Sequence, residues 1–272
     1  MILYDEPQDV VAKAMRGLGM TASALAISSG VSESKIAAFL DGRTSKELAL
    51  QIAPPLELCP DALAKLSDYR PRSIAPPGVT RVEVPFDDET VNIWLIESGD
   101  TVIVIDAGTR PNDLADLLAA RGLDSVHLLI THEHRDHVGG IKAASGRLAS
   151  LHARSGFQME ESAVWVEPGK FLELGSMTIE VFELRGHHPR AIGYRIEGPG
   201  LELLAVGDAI FAGSIGGCPD PKSFARARQT IEATLENGHH RHFLLTGHGA
   251  GTTLASELVS NPFLAGWMRT KA

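Results

Sequence analysis

Apolar positions along this chain keep one period up to about residue 70 and a different one beyond it. Early on they recur three and four residues apart: Val10, Ala14 and Met15, then Leu25 and Ala26, then Ile36, Phe39 and Leu40, then Leu48 and Ile52. That spacing lines one face of a series of short helices. Thr21 and Ser32 offer the side-chain oxygens that cap helix starts, Gly30 separates two of these helices, and Gly42 closes the second. Pro54, Pro55 and Pro60 then interrupt the pattern. The run Arg70-Pro71-Arg72-Ser73-Ile74-Ala75-Pro76-Pro77-Gly78 reads as an extended linker, because proline withholds a backbone donor and fixes φ.

From Val79 onward the signals are those of strands. Val79 to Val84, Val91 to Glu97 and Thr101 to Ile105 form three β-like runs, the last two joined through Ser98-Gly99-Asp100 as a hairpin. A helix is predicted from Asp113 to Arg121, with Gly122 as its stop. Further strands are predicted at Val126 to Ile130, Met177 to Glu183, Ala191 to Ile196, Leu201 to Val206 and His242 to Leu245, and a helix at about Phe224 to Asn237. The expected organisation is a helical segment 1–70, a Pro-rich linker 71–78 and a larger unit 79–272. By pattern alone that unit is α/β or α+β.

The chemistry concentrates in Thr131-His132-Glu133-His134-Arg135-Asp136-His137, an H-x-H-x-D-H cluster between a buried strand and a helix-like stretch opening at Val138-Gly139-Gly140. Imidazole and carboxylate are the groups that zinc and iron accept at neutral pH without a thiolate. One intervening residue lets His132 and His134 point the same way from an extended loop, while Asp136 and His137 are offset towards a second ion. Three later segments end an apolar run at glycine and then offer a ligand: Arg185-Gly186-His187-His188-Pro189, Val206-Gly207-Asp208 and Thr246-Gly247-His248. No G-x-S-x-G elbow is present to supply a serine nucleophile.

In order and spacing these motifs resemble the metallo-β-lactamase-fold hydrolases. The run Gly207-Asp208-Ala209-Ile210-Phe211-Ala212-Gly213-Ser214-Ile215-Gly216 is similar to that of the glyoxalase II-like branch. So is Gly247-His248-Gly249-Ala250-Gly251-Thr252-Thr253, followed by Glu257 and Asn261-Pro262-Phe263-Leu264. The resemblance covers roughly residues 78 to 272. It implies an αββα sandwich, here preceded by a small all-α segment. It also implies that His132, His134 and His187 hold one metal, that Asp136, His137 and His248 hold a second, and that Asp208 bridges them. Asp136 and Asp208 are then the candidate catalytic carboxylates, and Asp106 is a candidate acceptor for a ligand histidine's other N–H. The implied cofactor is two Zn2+, with one or two iron ions as the alternative. The implied activity is cleavage of a small thioester or ester by a metal-bound hydroxide. A mononuclear iron oxygenase of the persulfide dioxygenase type and a lactonase share the motif set.

Other residues qualify this picture. Spacing does not choose between His187 and His188; the resemblance of Gly186-His187-His188-Pro189 to the family's G-H-x-P run implies His187 in the ligand slot and His188 as a pocket residue or substrate contact. His239, His240 and His242 read as cations near a helix end, His127 and His152 as structural, and Cys218 as an incidental thiol. Two departures weaken a glutathione thioester as substrate: Gly217-Cys218-Pro219 before Asp220, and Arg135, which is expected to set a cation beside the metals. The 24 residues after His248 also fall short of the helical domain with which full-length glyoxalase II grips glutathione.

The segment Leu25 to Gly42 resembles a repressor-type helix-turn-helix. Residues 1–70 nevertheless carry seven Lys/Arg against nine Asp/Glu, and the recognition helix has only Lys35 as a base. DNA binding needs several free cations. Homodimer docking is therefore the favoured role of this segment, with a metal-sensing transcription regulator as the non-enzyme alternative. A net charge of −9 and 44% hydrophobic residues describe an ordinary globular chain. Two cysteines give no disulfide framework. With no signal-like start and no membrane-length apolar run, the expectation is a cytoplasmic enzyme acting on a small molecule.

Overall fold

The computed structural model describes residues 3–71, 74–157, 162–237 and 241–269. Part of the predicted linker (Arg72, Ser73) and two of the helix-end histidines (His239, His240) lie outside them. The helical segment contains α1 (Pro7–Leu18), α2 (Ala22–Ser29), α3 (Glu33–Leu40), α4 (Lys46–Ile52) and α5 (Pro60–Lys65). Its punctuation follows the sequence. The Thr21 hydroxyl accepts from the Ala24 N–H at 3.1 Å, and Gly30 ends α2 in the left-handed region at φ 71°. Ser32 precedes α3 without a side-chain cap bond.

Two six-stranded sheets follow. The first comprises β1 (Val79–Phe86), β2 (Glu89–Ser98), β3 (Thr101–Ile105), β4 (Val126–Leu129), β5 (Leu148–Arg154) and β6 (Val164–Val166), in that spatial order. Between its strands run α6 (Asp113–Ala120), α7 (Arg135–Val138) and α8 (Ile141–Ala144). The second sheet comprises β7 (Phe171–Leu174), β8 (Met177–Glu183), β9 (Ile192–Gly198) and β10 (Leu201–Gly207). After the small hairpin β11 (Ile210–Phe211) and β12 (Ser214–Ile215) and helix α9 (Pro221–Asn237), it is completed by β13 (Phe243–Thr246) and β14 (Thr252–Thr253). Its order is β14-β13-β10-β9-β8-β7, and α10 (Leu254–Ser260) and α11 (Pro262–Arg269) close the described chain.

Three apolar layers set the architecture. Trp94, Ile103, Ile105 and Leu129 of the first sheet face Ile179, Tyr194, Ile196 and Leu203 of the second. The outer face of the first sheet packs Ile93, Val104 and Leu128 against Leu114, Leu118 and Ile141 of its helices. The outer face of the second packs Leu204, Val206 and Leu244 against Phe224, Ile231 and Trp267. Strands covered on both sides read as continuous apolar runs, which is why β2 buries six consecutive residues, Val91 to Ile96. This is the expected αββα arrangement.

The N-terminal helices do not have a core of their own. Val10, Val11, Ala14, Met15, Leu25, Ile36 and Phe39 belong to the same buried cluster as Leu204, Val206 and Phe224. Helix α1 lies closest to α9, where a Cβ on Gly17 would fall 2.3 Å from Phe224 Cδ2. Among the described residues no single helix is long and apolar enough to cross a membrane.

That contact yields a prediction. Gly17→Ala gains about 1 kcal/mol in helix propensity, but forcing a methyl into Phe224 costs about 1–3 kcal/mol. The variant should therefore unfold at lower urea concentration than the parent. An unchanged or raised midpoint would show that the two helices are not in tight contact.

Candidate metal centre

The C-terminal ends of β3, β4, β10 and β13 meet at one edge of the sandwich. β3 and β4 run parallel in one sheet, and β10 and β13 run parallel in the other. His132 and His134 leave the end of β4, and Asp136 and His137 lie in the short α7 that follows. His187 comes from the loop after β8, Asp208 directly follows β10, and His248 follows β13. All seven predicted residues come together. Ligand-type atoms of His132, His134, His187 and Asp208 form one group, and those of Asp136, His137 and His248 another, each within 4.8 Å internally.

The distances show how closely the lone pairs converge. His134 Nδ1 is 3.0 Å from both His132 Nε2 and His187 Nε2. Asp136 Oδ2 lies 3.4 Å from His137 Nε2 and 3.2 Å from His248 Nε2. Asp208 stands between the groups, with Oδ1 3.3 Å from His137 Nε2 and Oδ2 3.4 Å from both His187 Nε2 and His248 Nε2. Gly247 is required here, since a Cβ would sit 2.0 Å from Asp208 Oδ1 and 2.9 Å from His137 Cε1.

Outside the cluster, the other ring nitrogens are tied down. His187 Nδ1 donates to the Gly217 carbonyl (2.8 Å) and His248 Nδ1 to the Thr90 carbonyl (2.7 Å). His137 Nδ1 donates to Asp106 Oδ2 (2.7 Å), so Asp106 occupies its predicted place. Asp106 also accepts from the Thr131 backbone N–H and hydroxyl, both at 2.8 Å, and it holds φ 61°, unusual for a residue other than glycine. His132 Nδ1 lies 3.1 Å from that same Thr131 hydroxyl. These bonds fix tautomers so that Nε2 faces inward on His132, His137, His187 and His248, an orientation typical of metal-ligating histidines.

Electrostatics supports the same reading. Burial, then the neighbouring His137, hold the His132 imidazole well below its ordinary value. Burial also opposes charge on His137, yet the Asp208 and Asp106 carboxylates hold it well above its usual range. His248 is likewise raised to about 10, against burial, by Asp208 and Asp136. Burial opposes ionisation of Asp208, but His137 and His248 keep its carboxyl well below the usual carboxylate range. Within this charge lattice His137 Nε2 and Asp208 Oδ1 are buried without a hydrogen-bond partner. Buried polar atoms are rarely left unpaired. A divalent cation satisfies both and takes the place of the protons that the imidazoles otherwise hold.

Neighbouring residues sort themselves clearly. His188 is not in either group. Its Nε2 is 3.7 Å from Glu133, which also receives Arg190, and burial lowers its imidazole to about 4. Arg135, expected beside the metals, instead lies at the surface 3.8 Å from Asp87, because the short α7 turns its side chain outward. His242 is buried just ahead of β13 rather than exposed at a helix end. His127 and His152 both bond Ser150 at 2.7 Å. Burial pushes the Cys218 thiol up to about 12, which suits an inert side chain.

Two participants escaped sequence reasoning. The ring of Tyr4 stacks on His248 (centroids 4.7 Å apart, planes at 24°), and Phe211 approaches both rings edge-on. The Tyr4 hydroxyl donates to Glu89. Nothing in the local sequence signals a contact spanning almost the whole chain.

Residues 86–149 match the Metallo-beta-lactamase superfamily. The hydroxyacylglutathione hydrolase of Aeromonas salmonicida (strain A449) is 31% identical over 127 residues, which are 46% of this chain and 48% of that protein. The chain thus spans about half the length of that relative. The probable metallo-hydrolase YqgX of Bacillus subtilis (strain 168) is 23% identical over 68% of this chain and 97% of its own length. Among solved structures, TTHA1623 in a di-iron-bound form superposes with a TM-score of 0.54 at 26% identity, over 67% of this chain and all of that one.

The two adjacent histidines can be separated experimentally. His187→Ala should lower the bound metal per chain, read by elemental analysis after dialysis, and shrink the rise in Tm on adding zinc. His188→Ala should leave both unchanged. The reverse outcome would move the ligand role to His188.

Proposed function

We propose that this chain belongs to the metallo-beta-lactamase superfamily and is a metal-dependent hydrolase of small thioesters or esters, a reading supported by its match over residues 86–149 and by its fold. The observation that carries this reading is the double cluster around Asp208, in which seven buried or half-buried imidazole and carboxylate groups aim lone pairs at two adjacent positions. Divalent cations held there supply Lewis acidity, polarising a carbonyl and making water acidic near neutral pH. His132, His134, His187 and Asp208 would hold one cation, and Asp136, His137, His248 and Asp208 the other.

The protein's own contribution is orientation and exclusion. Asp106 and Thr131 hold His137 and His132 in one ring orientation, so the inward nitrogens need no reorganisation. Asp136 and Asp208 are kept ionised by neighbouring imidazoles, which leaves their inward oxygens as anionic donors for the cations they would hold. Tyr4, Phe86 and Phe211 surround His248 and limit water on that side. The likeness to hydroxyacylglutathione hydrolases supports a thioester, and the likeness to a di-iron protein supports iron as the alternative to zinc.

Protein prepared without added metal and assayed on thioesters, lactones and glutathione persulfide tests this reading. It should carry two ions per chain and cleave a thioester, and a chelator should abolish turnover. Asp208→Ala should lower kcat/KM by roughly 100-fold or more and reduce metal content in parallel. One iron per chain with oxygen uptake on the persulfide would replace hydrolysis by oxygenation.

A further inference from the structure

A cavity of about 350 Å³ lies between the metal cluster and helix α1, lined by His187 and Asp208 of the cluster, Lys13 and Arg16 of α1, and Tyr4 and Phe211. Its size suits a small molecule. The two cations sit three residues apart on one face of α1, and that helix is held rigidly because Val10, Val11, Ala14 and Met15 are fully or nearly buried.

The charges in this cavity are unequally committed. Lys13 is paired with Asp5, and its Nζ donates to the Ile215 carbonyl at 2.9 Å. The acids on the same wall are also engaged: Asp9 accepts from the Glu6 backbone N–H at 2.9 Å, and Glu89 accepts from Tyr4. Arg16 is exposed, and its guanidinium makes no hydrogen bond or ion pair among the described residues. Its Nη1 lies 3.7 Å from the position of a Cβ on Gly217, the residue whose carbonyl orients His187. An uncommitted cation therefore stands beside Gly217, one residue from the metal cluster.

We propose that α1 supplies the substrate-recognition end of the site, with Arg16 gripping a carboxylate on the substrate while Lys13 stays paired with Asp5 and anchors that end of the helix. The proposal rests on the hydrolase reading and deepens it by naming the substrate class: thioesters or esters that carry a free carboxylate beyond the scissile carbonyl. A single free guanidinium matches a planar monoanion through two parallel N–H bonds. A phosphate dianion would call for further uncommitted donors. Tyr4 and Phe211 line the same cavity and suit the carbon chain of such a substrate.

The test uses the metal-loaded full chain and a matched pair of thioesters, one with a free carboxylate and one with that group as a carboxamide. Arg16→Ala should raise KM for the carboxylate substrate by roughly tenfold with little change in kcat, and shift the carboxamide by less than about twofold. Arg16→Lys should recover part of the loss. Equal effects on both substrates, or none on either, would overturn the proposal. A second arm does not depend on turnover: calorimetric titration with S-methylglutathione should show roughly tenfold weaker binding in Arg16→Ala at unchanged Tm. If the parent protein cleaves neither thioester, the hydrolase reading fails while this arm still decides the carboxylate site. Unchanged affinity in the variant, or no binding to the parent, would overturn it.

Discussion

Asp208 is a buried ionised carboxylate, and the surrounding structure depends on satisfying it. An isolated charge at 7% exposure would be prohibitively costly, so its negative charge must be met by imidazolium protons or by cations. Its neighbours are accordingly imidazoles on elements from both sheets. That requirement also explains the glycines beside it. Gly207 holds φ 47° with no room for a Cβ against the Thr131 hydroxyl, and Gly247 lets the His248 strand end approach Asp208 within contact distance. Two sheets are thereby locked edge to edge around one charge.

A second polar hub positions the chain just after Asp208. Glu257 is fully buried, and its carboxylate accepts from Tyr69 (2.6 Å), Thr252 (2.8 Å), the Gly213 N–H (2.7 Å) and Asn261 (3.2 Å). Asn261 in turn donates to the Ser214 carbonyl at 2.7 Å and accepts from Phe263 N–H at the start of α11. Burial pushes the Glu257 carboxyl up, and these donors offset part of that cost. The β11–β12 turn is thus held by α10, α11 and the end of the helical segment together. A satisfied buried network of this kind specifies one arrangement, because losing any member leaves the others unpaired.

Much of this was legible from residue order. The hairpin at Gly99-Asp100 and the caps at Thr21 and Gly30 follow from local patterns, and the convergence of His132, His134, Asp136, His137, His187, Asp208 and His248 from the motif order that carries the family resemblance. Asp106 was legible too, as a carboxylate ending a strand next to the histidine-bearing one. The edge strands β6 and β7 were not, because short strands with exposed apolar residues, such as Val164, Trp165 and Phe171, give too little pattern to read, and β5, though paired on both sides, begins with partly exposed residues. Arg135 was misplaced for a related reason: spacing fixes sequence neighbours, but the turn of α7 decides which side chain faces the cluster.

The role of the first seventy residues was the hardest to read, since helical periodicity shows that a face is buried without showing against what. The favoured expectation was a docking or dimerising module. Within the chain itself the shared core seats α1 on α9, and the preceding turn carries Tyr4 onto His248. Removing this segment would expose Leu204, Val206, Phe224 and Trp267 on the second sheet's outer layer and uncover one wall of the metal cluster at the same time. Stability and the shape of the site therefore depend on the same contact. A helical segment built onto the outer layer of the second sheet in this way can change what the site admits without altering a single metal-facing residue.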